Sequence, residues 1–205
     1  MGQITSGLRA IFSSPTIYSA FQTIMGAHRG RMTFVADFVR PQPNMNVLDM
    51  GCGPAEILDY LPRVSYWGFD ISAPYIAQAT SRYGSKGHFF CTELNAEDLV
   101  DPPSFDIVLA IGLLHHLDDE AATVLLNLAH DALKPGGRLI TIDPCLASGQ
   151  NPIAEYLVLH DRGRNVRTRD GYESLVSSIF LEHRIEVRHR AWIPYTHCFM
   201  ECTRT

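Results

Sequence analysis

From residue 46 onward, short apolar runs alternate with stretches whose apolar residues recur at helical spacing. The runs at 46–50, 64–70, 87–91, 105–111 and 138–143 read as strands, and 54–61, 73–83 and 119–133 read as helices between them. Strands joined through helices form a parallel sheet built from βαβ units. Ser72 and Asp118 stand where helix N-caps belong. After Asp143 the alternation stops. Residues 144–170 read as a long connection, Gly171 to Phe180 as a helix, and 183–192 with 195–203 as an antiparallel strand pair. In the first of that pair Arg184, Glu186, Arg188 and Arg190 alternate with Ile185, Val187 and His189, which predicts one solvated face and one buried face.

Before residue 44 the pattern differs. Ile11, Phe12, Ile17, Tyr18, Phe21, Ile24 and Met25 give a wide helical apolar face, broken by Ser13-Ser14-Pro15. A second periodic stretch runs from Met32 to Val39 and stops before Pro41-Gln42-Pro43. The expected organisation is a helical cap over 1–43 and one α/β domain over 44–205. That domain is a doubly wound, seven-stranded sheet, mostly parallel, closing on an antiparallel C-terminal pair. The cap either covers a ligand cavity or packs on the sheet; both readings fit the pattern.

Ligands of open α/β sheets bind beyond the carboxyl ends of the strands. Asp49, Asp70, Asn95, the pair His115-His116 and Asp143 all fall at or just past such ends. The sharpest signal is Val47-Leu48-Asp49-Met50-Gly51-Cys52-Gly53-Pro54-Ala55-Glu56, an apolar run ending in a carboxylate, followed by two glycines and the expected opening of a helix. Asp70, 21 residues after Asp49, closes the strand Tyr66-Trp67-Gly68-Phe69-Asp70 and suits a ribose diol. A dinucleotide loop would carry a third glycine at position 56, where Glu56 would repel a pyrophosphate. No Gly-Lys-Ser/Thr follows, so a Walker-type loop is excluded as well. A strand-end carboxylate suits a cation. S-adenosylmethionine (SAM) offers an ammonium, a sulfonium and a ribose, and no phosphate.

Asp49-x-Gly51-x-Gly53 resembles motif I of the class I SAM-dependent methyltransferases, and the resemblance extends along most of the chain. Asp70 resembles that family's ribose-binding acid, and Asn95-Ala96-Glu97-Asp98-Leu99 is similar to the stretch that receives the adenine. Ser104-Phe105-Asp106-Ile107-Val108-Leu109 resembles strand four, followed by Leu114-His115-His116-Leu117; Leu133-Lys134-Pro135-Gly136-Gly137-Arg138-Leu139 resembles the turn into strand five. The resemblance implies a Rossmann-like fold, SAM as cofactor, and a binding set of Asp49, Gly51, Gly53, Asp70, Ile71, Asn95, Ala96 and Ile111. Two positions depart from the family pattern. Ala55 stands where a third alternate glycine is common, and Asn95 where Asp is common. A methyl is small, and an amide oxygen still accepts from the exocyclic amine.

Methyl transfer from a sulfonium is an in-line displacement that mainly requires alignment of the acceptor. A base helps where the acceptor is a hydroxyl or a protonated amine, and histidine suits that task. In some small-molecule relatives one of a similar histidine pair is the base; in others the pair only shapes the pocket. His115 and His116 are therefore unranked candidates. Asp143 would orient a histidine, hold an acceptor ammonium, or serve only as a turn carboxylate before Pro144. Arg162, Arg164, Arg167 and Arg169 fall within eight positions of a connection that the family uses on the substrate side. Guanidinium forks favour carboxylates and phosphates, so Arg162 and Arg164 are candidates for an anionic acceptor or carrier group. Tyr18 and His28 are candidates for lining the same cavity. No metal is expected, because adjacent histidines on an extended chain point to opposite faces.

The implied function is SAM-dependent methyl transfer to an oxygen or nitrogen of a small molecule. The alternatives are another SAM-assisted reaction on the same fold, such as a cyclisation or aminopropyl transfer, or a non-catalytic SAM-binding regulatory protein. No nucleic-acid partner is expected. The Asn-Pro-Pro-Tyr type of motif is missing from Ala110-Ile111-Gly112-Leu113, and a net charge of −5 lacks a basic field. The 205 residues, 46% of them hydrophobic, suffice for one domain with a full core. No apolar stretch approaches the ~18 residues that span a bilayer, so no membrane association is expected. Cysteines at 52, 91, 145, 198 and 202 form no C-x-x-C pair, which fits a reducing cytoplasm. The N-terminus lacks a secretory pattern, and Gly2 with Ser6 matches only a short lipidation pattern of low specificity.

Overall fold

The apolar runs assemble as their alternation predicts. The computed structural model describes residues 27–99, 104–160, 163–190 and 195–205. Strands β1 (Asn46–Met50), β2 (Ser65–Phe69), β3 (His88–Phe90), β4 (Phe105–Ile111) and β5 (Leu133–Leu146) run parallel. A short β6 (Arg167–Thr168) pairs with Cys145 and Leu146 at the end of β5. β7 (Glu182–Arg190) and β8 (Tyr195–Thr203) pair antiparallel, and β8 lies antiparallel against β5. The order across the sheet is β3-β2-β1-β4-β5-β8-β7. The seven expected strands are all present, with β6 as an addition.

Parallel strands buried on both faces need helices on both. On one face Leu48, Met50, Val108 and Leu139 pack against Ala122, Leu126 and Ala129 of a helix over Asp119–Ala132 and Tyr172 and Val176 of another over Arg169–Val176. On the other, Val47, Ile107, Leu109 and Ile140 meet Ile76, Ala79 and Tyr83 of a helix over Ala73–Tyr83. In chain order the helices are α1 (Ala27–Phe34), α2 (Ala73–Tyr83), α3 (Asp119–Ala132), α4 (Pro152–Leu159) and α5 (Arg169–Val176). Among the described residues, no helix is long and apolar enough to cross a membrane.

The described part of the N-terminal segment packs on the sheet. Phe34, Val35, Phe38 and Val39, from α1 and the π-helical turn Val35–Val39 after it, are buried on the second face. Phe38 stacks on Phe199 at 4.6 Å between centroids, and Arg138 closes the turn by donating to the Phe38 and Val39 carbonyls at 2.9 and 2.7 Å. The charged face of β7 is correspondingly less solvated than its alternation predicts. The Arg188 guanidinium lies 4.7 Å from the centroid of the Phe38 ring and pairs with Asp37 at 2.6 Å and Glu186 at 2.7 Å. A long arginine stem covers apolar surface while its head stays paired.

Three local expectations need correction. The helix expected over 54–61 is a single 3₁₀ turn, Glu56–Asp59, entered through left-handed Gly53 and Ala55. Only eight residues separate Gly53 from Pro62, and the residue before a proline is pushed out of helical conformation. Ser72 makes no side-chain cap, whereas Asp118 does, accepting from the Ala121 N–H at 2.9 Å. The 144–170 connection holds the end of β5, all of α4, β6 and the first residues of α5. α5 begins at Arg169 rather than Gly171 because Thr168 caps it, accepting from the Gly171 N–H at 3.2 Å.

Candidate active site

The loop after β1 is shaped by two glycines with positive φ, Gly51 at 74° and Gly53 at 52°, a conformation that costs glycine little. The Gly51 and Cys52 N–H groups donate to the Phe69 carbonyl at 2.8 and 2.9 Å, pinning the loop to the end of β2. Asp70 completes the tie. Its Oδ2 accepts from the Gly53 N–H at 2.8 Å and its Oδ1 from the Ser72 N–H at 2.7 Å, joining the glycine loop to the start of α2. Each oxygen keeps a further lone pair. A Cβ at Gly53 would meet nothing within 4 Å, so the loop backbone faces open space there.

Asp49 lies beneath the same loop, 2% exposed. Its Oδ2 accepts from the Tyr66 hydroxyl at 2.6 Å, and its Oδ1 has no hydrogen-bond partner among the described residues. Burial pushes this carboxyl up to about 7, against the Tyr66 hydroxyl and with help from the charge of Asp70. Room for the tyrosine comes from Gly68, which stands opposite Asp49 in the β1–β2 ladder. A Cβ at Gly68 would sit 2.9 Å from the Tyr66 ring and 2.8 Å from Cys52 Sγ.

Glu56 forms a 2.5 Å ion pair with Arg31 of α1. Its charge is therefore balanced, and the case against a dinucleotide rests on the missing third glycine and on the two carboxylates. Ile71, beside Asp70, is 77% exposed. Asn95 is exposed past β3, its N–H on Asp98 Oδ2 at 2.9 Å and its side-chain amide on the Glu93 carbonyl at 2.9 Å. Ala96 opens the 3₁₀ turn Ala96–Leu99, and half-buried Ile111 ends β4. An unpaired buried carboxylate oxygen, an open glycine and a second carboxylate at the rim suit an ammonium and a diol. The residues present thus fit SAM.

Past β4 the chain turns at Gly112, φ 64°, into the 3₁₀ turn Leu114–His116. His115 Nδ1 lies 2.8 Å from Asp143 Oδ1 of β5, and the His115 backbone N–H donates to the same oxygen at 3.1 Å. Both side chains are buried, at 7% and 1% exposure, and Asp143 Oδ2 has no hydrogen-bond partner among the described residues. The chain before β6 closes over them. Asn165 N–H donates to the His115 carbonyl at 3.0 Å, and a Cβ at Gly163 would stand 2.0 Å from His115 Cδ2. Arg167 brackets the turn, donating to the Leu114 carbonyl at 3.0 Å, the Leu117 carbonyl at 2.8 Å and Asp119 at 2.7 Å.

His116 is exposed, its ring 4.0 Å from that of His115. The opposite-faces expectation for the two histidines is thereby corrected, because a 3₁₀ turn, unlike an extended chain, sets consecutive rings side by side. Among the described residues, no three His, Cys, Asp or Glu side chains come together as metal ligands. Arg164 is exposed in the segment over His115. His28 is exposed and lies 2.8 Å from the Tyr60 hydroxyl, just past the glycine loop. Tyr18 and Arg162 lie outside the described residues. Sequence reasoning missed Tyr66, Gly163 and Asn165, and it placed Arg167 with the substrate-side arginines, whereas its guanidinium holds the histidine turn. Strand parity would have found Tyr66, since Tyr66 and Gly68 share a face two positions apart; Gly163 and Asn165 carry no local signal.

Comparison with known proteins agrees with this geometry. Residues 48–139 match the family model described as a methyltransferase domain. An O-methyltransferase of Pyrenophora dematioidea is 32% identical over 127 residues, 58% of this chain and 47% of that protein. An uncharacterized protein of Synechococcus is 37% identical over 103 residues, 45% of this chain and 24% of that one. The chain thus spans less than half the length of these curated relatives. Among solved structures, the plantazolicin methyltransferase BpumL, in complex with a pentazolic desmethylPZN analog and S-adenosylhomocysteine (SAH), superposes with a TM-score of 0.64 at 18% identity. That match covers 96% of this chain and 94% of that one. Residues 48–139 of this chain are thus similar to a methyltransferase domain, and the chain shares its fold with a solved methyltransferase.

Proposed function

We propose that the protein transfers a methyl group from SAM to an oxygen or nitrogen of a small molecule, with His115 as the base and Asp143 as its orienting partner. The observation that carries this reading is the 2.8 Å contact between His115 Nδ1 and Asp143 Oδ1 at the carboxyl ends of β4 and β5. Bound SAM supplies an electrophilic methyl group on a sulfonium. The residues around it divide the remaining work. Asp70 accepts from the ribose hydroxyls with the lone pairs its amide partners leave, Asp49 Oδ1 takes the ammonium, and Asn95 and Ala96 receive the adenine beside Ile71 and Ile111. Asp143 holds the Nδ1 proton of His115, which leaves Nε2 as the acceptor for the proton that the substrate loses. The buried carboxylate then stabilises the imidazolium.

On this reading 44–205 is the catalytic domain, 1–43 a cap, and 144–170 the substrate side. His116, beside His115, borders the acceptor. Arg162 and Arg164 would recognise an anionic portion of the acceptor, with Tyr18 and His28 as candidates for lining the same cavity. The described cysteines are free, which accords with a reducing cytoplasm.

The test uses methyl-tritiated SAM with a panel of phenols, amines and their carboxylated derivatives, alongside calorimetric titration with SAH. Label should appear in product, and His115→Ala should lower the rate by about 10²–10⁴ while SAH affinity stays unchanged. A folded protein that binds no SAH would overturn the reading. Full turnover by His115→Ala would remove the base from it.

A further inference from the structure

We infer that Tyr66 is a positioning residue for the cofactor: its hydroxyl holds Asp49 Oδ2 and leaves Oδ1 to the cofactor's ammonium, so that cofactor affinity weakens as the pH falls below neutrality. The inference rests on the cofactor reading above and goes beyond it, assigning a role to a side chain that touches no ligand.

Four observations meet at this point. Asp49 is 2% exposed and Tyr66 is fully buried, so no solvent competes for the 2.6 Å bond between them. The other carboxylate oxygen is buried and unpaired among the described residues. An orphaned buried acceptor costs free energy unless something donates to it. Gly68 leaves the space through which the ring reaches Asp49. Among the described residues, no cation compensates the charge of Asp49. Cys52 and Asp70 face Asp49 from the loop and the end of β2, Tyr83 of α2 stands behind Tyr66, and β4 presents apolar Leu109 across the ladder.

A carboxylate in this setting ionises near neutrality, with its value at about 7. A cation bound at Oδ1 favours the ionised form, so binding at lower pH must expel a proton. The ligand's own α-ammonium loses its charge only on the alkaline side of neutrality. The binding profile is therefore bell-shaped, with its acid limb set by Asp49 and its alkaline limb by the ligand.

Calorimetric titration of the full chain with SAH between pH 5.5 and 7.5 tests this. Wild-type affinity should fall by up to about tenfold per pH unit on the acid limb, with proton release on binding, as one-proton linkage requires. Tyr66→Phe keeps the ring and loses the bond that favours the anion. Its acid limb should move about one pH unit toward alkaline. Asp49→Asn should bind weakly with that limb abolished, which also separates Asp49 from any contribution of His115. A flat wild-type profile overturns the inference while leaving the cofactor reading intact, as does an unshifted Tyr66→Phe profile or an acid limb that persists in Asp49→Asn. If Tyr66→Phe does not fold, Gly68→Ala takes its place: its Cβ would stand 2.9 Å from the Tyr66 ring and displace the hydroxyl, so the acid limb should shift the same way, and an unshifted limb overturns the inference. No SAH binding at any pH would overturn both.

Discussion

Asp70 carries two tasks in one side chain. Its carboxylate closes the glycine loop onto the start of α2 through two backbone amides, and its remaining lone pairs face the rim. Asp70→Ala removes both tasks at once. SAH affinity measured by calorimetry should fall by at least about tenfold, roughly 1.4 kcal/mol, because each charge-assisted bond is worth about that or more. The placement of Asp49, Asp70, His115 and Asp143 at or just past strand ends was legible in the sequence because each closes an apolar run. The roles of Arg167 and Gly163 were not. Their contacts with the histidine turn bridge 48 to 53 positions of chain, with no periodicity to announce them.

The elements follow the same division. β1 and β4 begin and end where the apolar runs do, as does α2. No α-helix forms over 54–61, because Pro62 and the left-handed entry at Ala55 leave room for a single 3₁₀ turn despite the apolar spacing. β6 escaped notice because two residues carry no alternation. Its importance lies in Arg167, which binds the carbonyls of Leu114 and Leu117, one within the histidine turn and one just past it. Arg167→Met should take a donor from those carbonyls and from that of Asn165, with only the Leu114 carbonyl keeping the Leu117 N–H at 3.1 Å, and lower stability by about 2–4 kcal/mol in urea unfolding. Arg167→Lys should recover only part, since an ammonium cannot fork to several acceptors at fixed angles.

For the whole molecule, buried Asp49 gives stability an unusual dependence on pH. Its carboxyl is raised from 3.8 to about 7 by burial, so between those values the folded chain binds a proton that the unfolded chain has released. Stability from this group is complete below the unfolded value and is lost as the pH rises through the folded one. Asp106 and Glu186 have the opposite sign. At Asp106 burial is outweighed by Lys134 and the Asn46 N–H, and at Glu186 the Arg188 guanidinium lowers the value; both act below the window considered. The ligand-free protein should therefore melt at a higher temperature at pH 5.5 than at pH 7.5 in a calorimetric scan. Asp49→Asn should flatten that difference, and an unchanged slope in the variant would point to another group.

The strand order also bears on how copies of the molecule avoid one another. Among the described residues, neither margin of the sheet has a neighbouring strand for its backbone donors and acceptors, which is a template for unwanted pairing. At one margin β3 offers only three residues. At the other, β7 is nine residues long but bears Arg184, Glu186 and Arg188, and like charges brought into register repel. Brevity guards one side and charge the other, so neutralising those three side chains should turn a quiet margin into a nucleus for aggregation.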